Sequence, residues 1–320
     1  MPSNHADFES RPIYDPQLSG IIDAAIARIQ IDMEQAAPFM AAQVAKWMKG
    51  LGQASPQAYF KHPLCFPMLL FPWWLESSLG RSPDAAFQTD LVCSTVSGYY
   101  YIRLIDNLMD GHATVELGLL PALSFFHTRF QMAYQRYFDY HHPFWALFRE
   151  MWFRSAEVTM KDASLADLDR EQFVQLAANK TCAALIPVAA VCYRYERPDL
   201  IEPWSQFLDL FGCWHQMWND LFTWLRDVRN QTRTYFLSEA ERLKRPGELV
   251  TEWVNREGLN WGSQVLEAWM RELVAASKEL GSEELVTYLN SRSAMLQQQR
   301  ARLAGNLERM MSVLETPVQL

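Results

Sequence analysis

An all-α fold follows from two features of this 320-residue chain. Apolar residues recur at intervals of three and four rather than two, the period of a helix with one buried stripe. Punctuation is sparse, at 13 Gly and 16 Pro, so the periodic segments run to about 20 residues or more. No segment alternates with the period of a strand. At 49% hydrophobic residues the chain can bury a large core. Helices this long suit a bundle around a central cavity.

Residues 1–16 (MPSNHADFESRPIYDP) read as a polar arm ahead of a helical domain at 17–320. The arm lacks the apolar stretch of a secretion signal. A first helix is expected over 18–49 and a loop over 50–58. FPMLLFPWWL (Phe66–Leu75) is the most apolar run, but it is short and interrupted by Pro67 and Pro72, so it is not expected to span a membrane. Helices follow over 84–110, 116–139 and 143–160, with loops at 111–115 and 140–142. After a loop at 161–168 come helices 170–194 and 200–230, separated at 195–199. Shorter periodic segments at 234–244 and 247–255 precede a loop at 256–260. Helices 261–280 and 282–315 complete the chain, and the last is polar enough to lie on the outside.

The formal net charge is −8 and the basic residues are scattered, which argues against a nucleic-acid partner. The cysteines Cys65, Cys93, Cys182, Cys192 and Cys213 stand singly in apolar surroundings, without a CxxC pair. They are expected as free, buried thiols in a reducing cytoplasm.

Four stretches carry polar groups that the apolar pattern does not require. QMWNDLFTWLRD (Gln216–Asp227) places Asn219, Thr223 and Asp227 at i, i+4 and i+8, stacked on one helix face, with Asp220 beside them. Their oxygens suit a hard cation such as Mg²⁺. YYYIRLIDNLMDG (Tyr99–Gly111) ends an apolar helix with Asp106 and Asp110. Like charges at that spacing, at a helix C-terminus, call for a compensating cation. In ANKTCAALIPVAA, Lys180 precedes a long apolar run and could aim an ammonium at phosphate oxygens. In RNQTRTYF, Arg229 and Arg233 stand at i, i+4 with Tyr235 beside them, placed to close over an anion.

The order of these stretches resembles the class I isoprenoid synthases, over roughly residues 60–245. DNLMD is similar to their first aspartate-rich motif, DDxxD, with Asn107 in the second position. NKT resembles the diphosphate-contacting Lys-Thr of all-trans prenyl diphosphate synthases. FGCWHQMWNDLFTWLRD looks like their FGxxFQxxDDxxDxxGD segment, and also like the terpene cyclase metal motif as Asn219, Thr223 and Asp227. LRDVRNQTRTYFLSEAE has some likeness to squalene and phytoene synthases.

The resemblance implies an isoprenoid synthase helical bundle whose two acidic faces hold three Mg²⁺ ions. It implies Asp106, Asp110, Asn219, Asp220, Thr223 and Asp227 as metal ligands. Lys180, Arg229, Arg233 and Tyr235 would hold the diphosphate of a prenyl substrate. Related enzymes are often homodimers. The regions corresponding to the second diphosphate site of elongating synthases, YFKHPLCFP and DNLMDGHATVELG, lack the arginine pair of that family, although Lys61 could stand in for one cation. A terpene cyclase acting on farnesyl or geranylgeranyl diphosphate is therefore the leading expectation. The alternative is a transferase, either a prenyl diphosphate synthase or a squalene/phytoene-type enzyme. A non-catalytic helical partner is the reading from another class. Tyr100, Tyr101, Phe66, Trp214, Trp218 and Phe222 are candidates to face a carbocation, and His112 and His215 are candidate bases.

Overall fold

The computed structural model describes residues 14–51, 55–109, 117–162 and 167–315, with side chains to residue 302. All regular structure among them is helical. The helices are α1 (Pro16–Ala36), α2 (Pro38–Gly50), α3 (Pro56–Phe60), α4 (Leu70–Ser78), α5 (Ala85–Met109), α6 (Leu120–Gln135) and α7 (Phe144–Asp162). They continue as α8 (Arg170–Thr181), α9 (Leu185–Arg194), α10 (Ile201–Arg229), α11 (Tyr235–Leu243), α12 (Val250–Trp253), α13 (Leu259–Glu279) and α14 (Glu283–Glu315).

Local chemistry sets the boundaries. Asp15 caps α1 by accepting the Gln17 N–H, and Pro16 occupies the first helical position, where no N–H is needed. The helix expected over 18–49 is divided at Ala37, because Pro38 starts a new helix. Leu70–Leu75 of FPMLLFPWWL lie in α4, with Pro72 in its first turn, where it costs no hydrogen bond. The expected helix 170–194 is broken by a 3₁₀ turn at Cys182–Ala184. Pro187, two residues into α9, lacks the N–H that would bond back to Ala183 in a continuous helix. The expected loop at 256–260 is instead helical, because one π turn (Val254–Gly258) joins α12 to α13. Asp169 and Gln172 form a reciprocal capping box at the start of α8. The first 13 residues of the expected arm lie outside the described residues.

The chain divides into two compact units, 1–147 with 187–196, and 148–186 with 197–320. In the first, α5 packs against α1 and α6. Ser94 Oγ donates to the Phe130 carbonyl at 2.9 Å. Gly98 lies under the Phe130 ring, where a Cβ would stand 3.1 Å from Cδ2. Asp90 is buried and accepts from Arg28 (3.0 Å), Arg136 (2.8 Å) and Tyr137 (2.8 Å), which locks α5 to its neighbours.

In the second unit α10 is central, packed on α8 and α13, and α14 covers α13. The Trp214 indole donates to the Leu266 carbonyl at 3.1 Å. Arg292 of α14 is fully buried, its guanidinium 5.0 Å from the Trp214 ring and 5.1 Å from the Trp218 ring. The run Arg170–Arg194 is apolar and long enough to cross a membrane by composition, but 67% of its most apolar window is buried within the protein, as in a core helix. The five cysteines carry thiols, four of them buried.

Candidate functional site

The polar face of α10 exists because the rest of the helix is core. Trp214, Met217, Trp218 and Leu221 are buried against its neighbours, and Gln216, Asn219 and Thr223 lie half-buried on the remaining surface. Thr223 Oγ1 donates to Asp227 Oδ2 at 2.8 Å and also lies 2.8 Å from the Asn219 carbonyl. The stacked spacing therefore brings Thr223 and Asp227 into direct contact. The Asn219 side-chain amide one turn earlier makes no hydrogen bond among the described residues. Asp227 is 5% exposed and has Arg226 Nε at 3.4 Å.

Asp220 points elsewhere. It is buried and accepts from Gln216 Nε2 at 2.8 Å. Burial pushes its pKa up to about 7, while the Gln216 donor pulls it down; the Asp227 charge raises it, and the Lys180 charge and the Tyr235 N–H lower it. The donor set on this face is all oxygen, from an amide, a hydroxyl and carboxylates, so it fits a hard divalent cation. Among the described residues there is no group of three His, Cys, Asp or Glu placed to hold a metal. Any site on α10 therefore depends on Asn219 and Thr223 as well as its acids.

Lys180 ends α8 and makes a short ion pair with Asp162 at the end of α7, each about one-third exposed. Its neighbour Asn179 accepts from Arg154. Sequence reasoning missed Asp162, because 18 residues and an expected loop separate the partners. Thr181 packs where α8 crosses α10, and only glycine fits opposite it. A Cβ on Gly212 would stand 2.2 Å from Thr181 Oγ1 and 3.1 Å from the Ala177 carbonyl. Gly212→Ala should therefore destabilise the protein by about 1–3 kcal/mol. Urea unfolding checks this, and adding Thr181→Ala should recover part of the loss.

Arg229 and Arg233 are exposed at and beyond the C-terminal end of α10. Tyr235 is the first residue of α11. Its ring is buried and stacks on Phe173, with centroids 4.6 Å apart and planes at 19°. Burial pushes its pKa up to about 12. Its backbone N–H is the part directed at Asp220.

In the first unit α5 presents Asp106 with a side chain 35% exposed, paired with Arg103 at 3.3 Å. Asn107, in the second motif position, is buried, and its Oδ1 has no hydrogen-bond partner among the described residues. The Tyr99 hydroxyl donates to that of Tyr59 at 2.6 Å, and burial pushes Tyr99 up to about 12. Asp110 and His112 lie outside the described residues. His215 is driven down to about 3, first by burial and then by the Arg292 charge, so its imidazole is neutral at pH 7. Trp214, Trp218 and Phe222 form a packed aromatic run, with centroids 5.2 and 4.6 Å apart. Tyr100 packs on Phe60 and Trp47, and Tyr101 on His127. Phe66 packs on Phe71.

No protein-family model matches the chain, and no curated protein matches it. Solved structures do. A geranylgeranyl pyrophosphate synthase from Lactobacillus brevis aligns with a TM-score of 0.65 at 13% identity, over 86% of this chain and 94% of that one. One from Corynebacterium glutamicum gives 0.65 at 14% identity, over 91% and 96%. A geranylgeranyl pyrophosphate synthetase from the archaeon Geoglobus acetivorans gives 0.60 at 12% identity, over 86% and 99%. At such identities the likeness is one of fold, and the chain has the all-α isoprenoid synthase fold.

Proposed function

We propose that this chain is a metal-dependent enzyme that binds a prenyl diphosphate and ionises its allylic C–O bond. The observation that carries this is the bonded Thr223–Asp227 pair on α10 with the Asn219 amide beside it, in a fold shared with prenyl diphosphate synthases. In this reading Asn219, Thr223 and Asp227 hold Mg²⁺ on one helix, and Asp106 and Asp110 do so on another. Bound Mg²⁺ would neutralise charge on the departing diphosphate. Lys180, Arg229 and Arg233 add fixed positive charge where that oxygen anion develops. Asp162 keeps the Lys180 ammonium oriented and must share it with an incoming phosphate. The breaking bond's electron pair leaves with the diphosphate oxygen, and the allylic cation left behind has to be kept from water until it reacts.

Two fates of that cation remain, and each has its own support. Transfer to a second prenyl unit, with a new C–C bond and loss of a proton, is supported by the activity named for the structural neighbours. Cyclisation within one molecule is supported by the cyclase-like Asn219/Thr223/Asp227 spacing. It is also supported by Lys61, the candidate substitute cation for a second diphosphate, being held by Asp23 at 2.7 Å. Transfer is the first reading and cyclisation the second. The test is to incubate the protein with Mg²⁺ and farnesyl or geranylgeranyl diphosphate, with and without isopentenyl diphosphate, and to analyse extracts by mass spectrometry. A longer diphosphate that appears only with isopentenyl diphosphate supports transfer. A coupled C30 or C40 hydrocarbon from one diphosphate alone supports transfer of the squalene/phytoene type. A hydrocarbon or alcohol of unchanged carbon number from one diphosphate supports cyclisation. Intact substrate under every condition sinks the proposal.

A further inference from the structure

One groove of the second unit is lined by residues to which the proposed chemistry assigns no role. A groove of about 500 Å³ opens between the start of α8, α11 and the outer face of α13. Small-molecule sites occupy roughly 300–1,000 Å³ and combine apolar walls with a few convergent polar groups. Tyr235, Trp261 and Trp269 supply the walls of this one. They are backed by the buried Phe173 ring, which stacks on Tyr235 and lies 6.0 Å from Trp269 at an interplanar angle of 10°. Tyr235 and Trp269 are themselves buried, so the half-buried Trp261 presents most of the aromatic surface that a planar ring would meet.

Three charged side chains line the same groove: Arg170, Glu239 and Glu272. Glu239 is already paired with Arg242. Arg170 and Glu272 are exposed, and among the described residues neither makes an ion pair. The groove therefore offers one guanidinium and one carboxylate, both uncommitted, along an aromatic wall. A guanidinium fork suits a carboxylate, and a lone carboxylate suits an ammonium. We propose that this groove binds a small aromatic zwitterion of the amino-acid class, with its carboxylate on Arg170, its ammonium on Glu272 and its ring against Trp261. Tyr235 connects the groove to the candidate metal face, because its ring forms the wall while its N–H meets Asp220.

The test is calorimetric titration of the full chain without metal or diphosphate, so that its outcome is independent of the proposed enzymatic activity. Three probes isolate the two charges: L-phenylalanine, phenethylamine, which lacks the carboxylate, and 3-phenylpropionate, which lacks the ammonium. Phenylalanine should bind tightest, by about tenfold or more over either analogue. Arg170→Gln should reduce its affinity to that of phenethylamine, and Glu272→Gln to that of 3-phenylpropionate. Both positions are exposed, and circular dichroism verifies that the variants fold. Equal affinity for all three probes, no saturable heat at millimolar concentrations, or unchanged phenylalanine binding in both variants would overturn the assignment.

Discussion

Asp227→Ala is expected to lower turnover of a prenyl diphosphate by about 10²–10³-fold or more, because it removes a carboxylate proposed to hold the Mg²⁺ that stabilises the developing negative charge. The substitution takes away the carboxylate that Thr223 contacts at 2.8 Å. It also removes a charge that burdens the buried Asp220, so the apo fold should survive, as circular dichroism and thermal unfolding would show. Asp106→Ala should be as damaging, because the proposed chemistry needs acids on two helices. Asn219→Ala should weaken Mg²⁺ and diphosphate binding together, read as a raised Mg²⁺ requirement at fixed substrate. Near-normal turnover with an unchanged Mg²⁺ requirement in Asp227→Ala would remove α10 from the proposed site. The same result in Asp106→Ala would remove α5.

What the sequence reveals follows the range of the forces involved. Helical period and motif spacing are local, and they give the all-α class and the Thr223–Asp227 contact directly. Boundaries governed by proline depend on where the ring falls in the helix. Pro38 divides α1 from α2, whereas Pro72 sits harmlessly in the first turn of α4, and composition alone does not separate the two cases. The π turn at Val254–Gly258 was invisible for another reason. Gly258 reads as a breaker, yet it allows the Trp253 ring close approach, a Cβ there standing 2.5 Å from Cζ3. Long-range partners were not legible at all. Nothing in NKT announces Asp162, and nothing near α10 announces Arg292 behind Trp214 and Trp218. Tyr235 shows the same limit. Adjacency to two arginines suggests an anion ligand, and only the fold shows that its ring stacks on Phe173 while its backbone N–H meets Asp220.

The fate of Asp220 separates a carboxylate kept for stability from one kept for function. Its ordinary pKa of 3.8 rises to about 7 in the folded protein, chiefly through burial. A raised folded-state value means the native state binds the proton more tightly than the unfolded chain does. The associated stability is fully present below about pH 4 and is lost as pH rises through 7. The gap of roughly three units corresponds to about 4 kcal/mol at most. His215 works in the opposite direction. Its value falls to about 3, so its contribution is present above the ordinary histidine value and is lost as pH falls toward 3. The two windows overlap, and the wild-type profile alone would not isolate either residue. Asp220→Asn isolates one, because it keeps the shape and the hydrogen-bonding capacity toward Gln216 while removing the charge. In metal-free protein this variant should be as stable as wild type near pH 4 and more stable by up to about 4 kcal/mol at pH 8. The difference between the two denaturation profiles should rise through pH 5–7. If Asp220 serves the metal face, the same variant should lose turnover, and Mg²⁺ with pyrophosphate should narrow the stability difference by stabilising only the wild-type carboxylate. A flat difference curve between pH 4 and 8 would show that Asp220 is not held in its buried, uncharged form. A stability gain without loss of turnover would exclude Asp220 from the metal face and leave Asn219, Thr223 and Asp227 as the whole of the second motif.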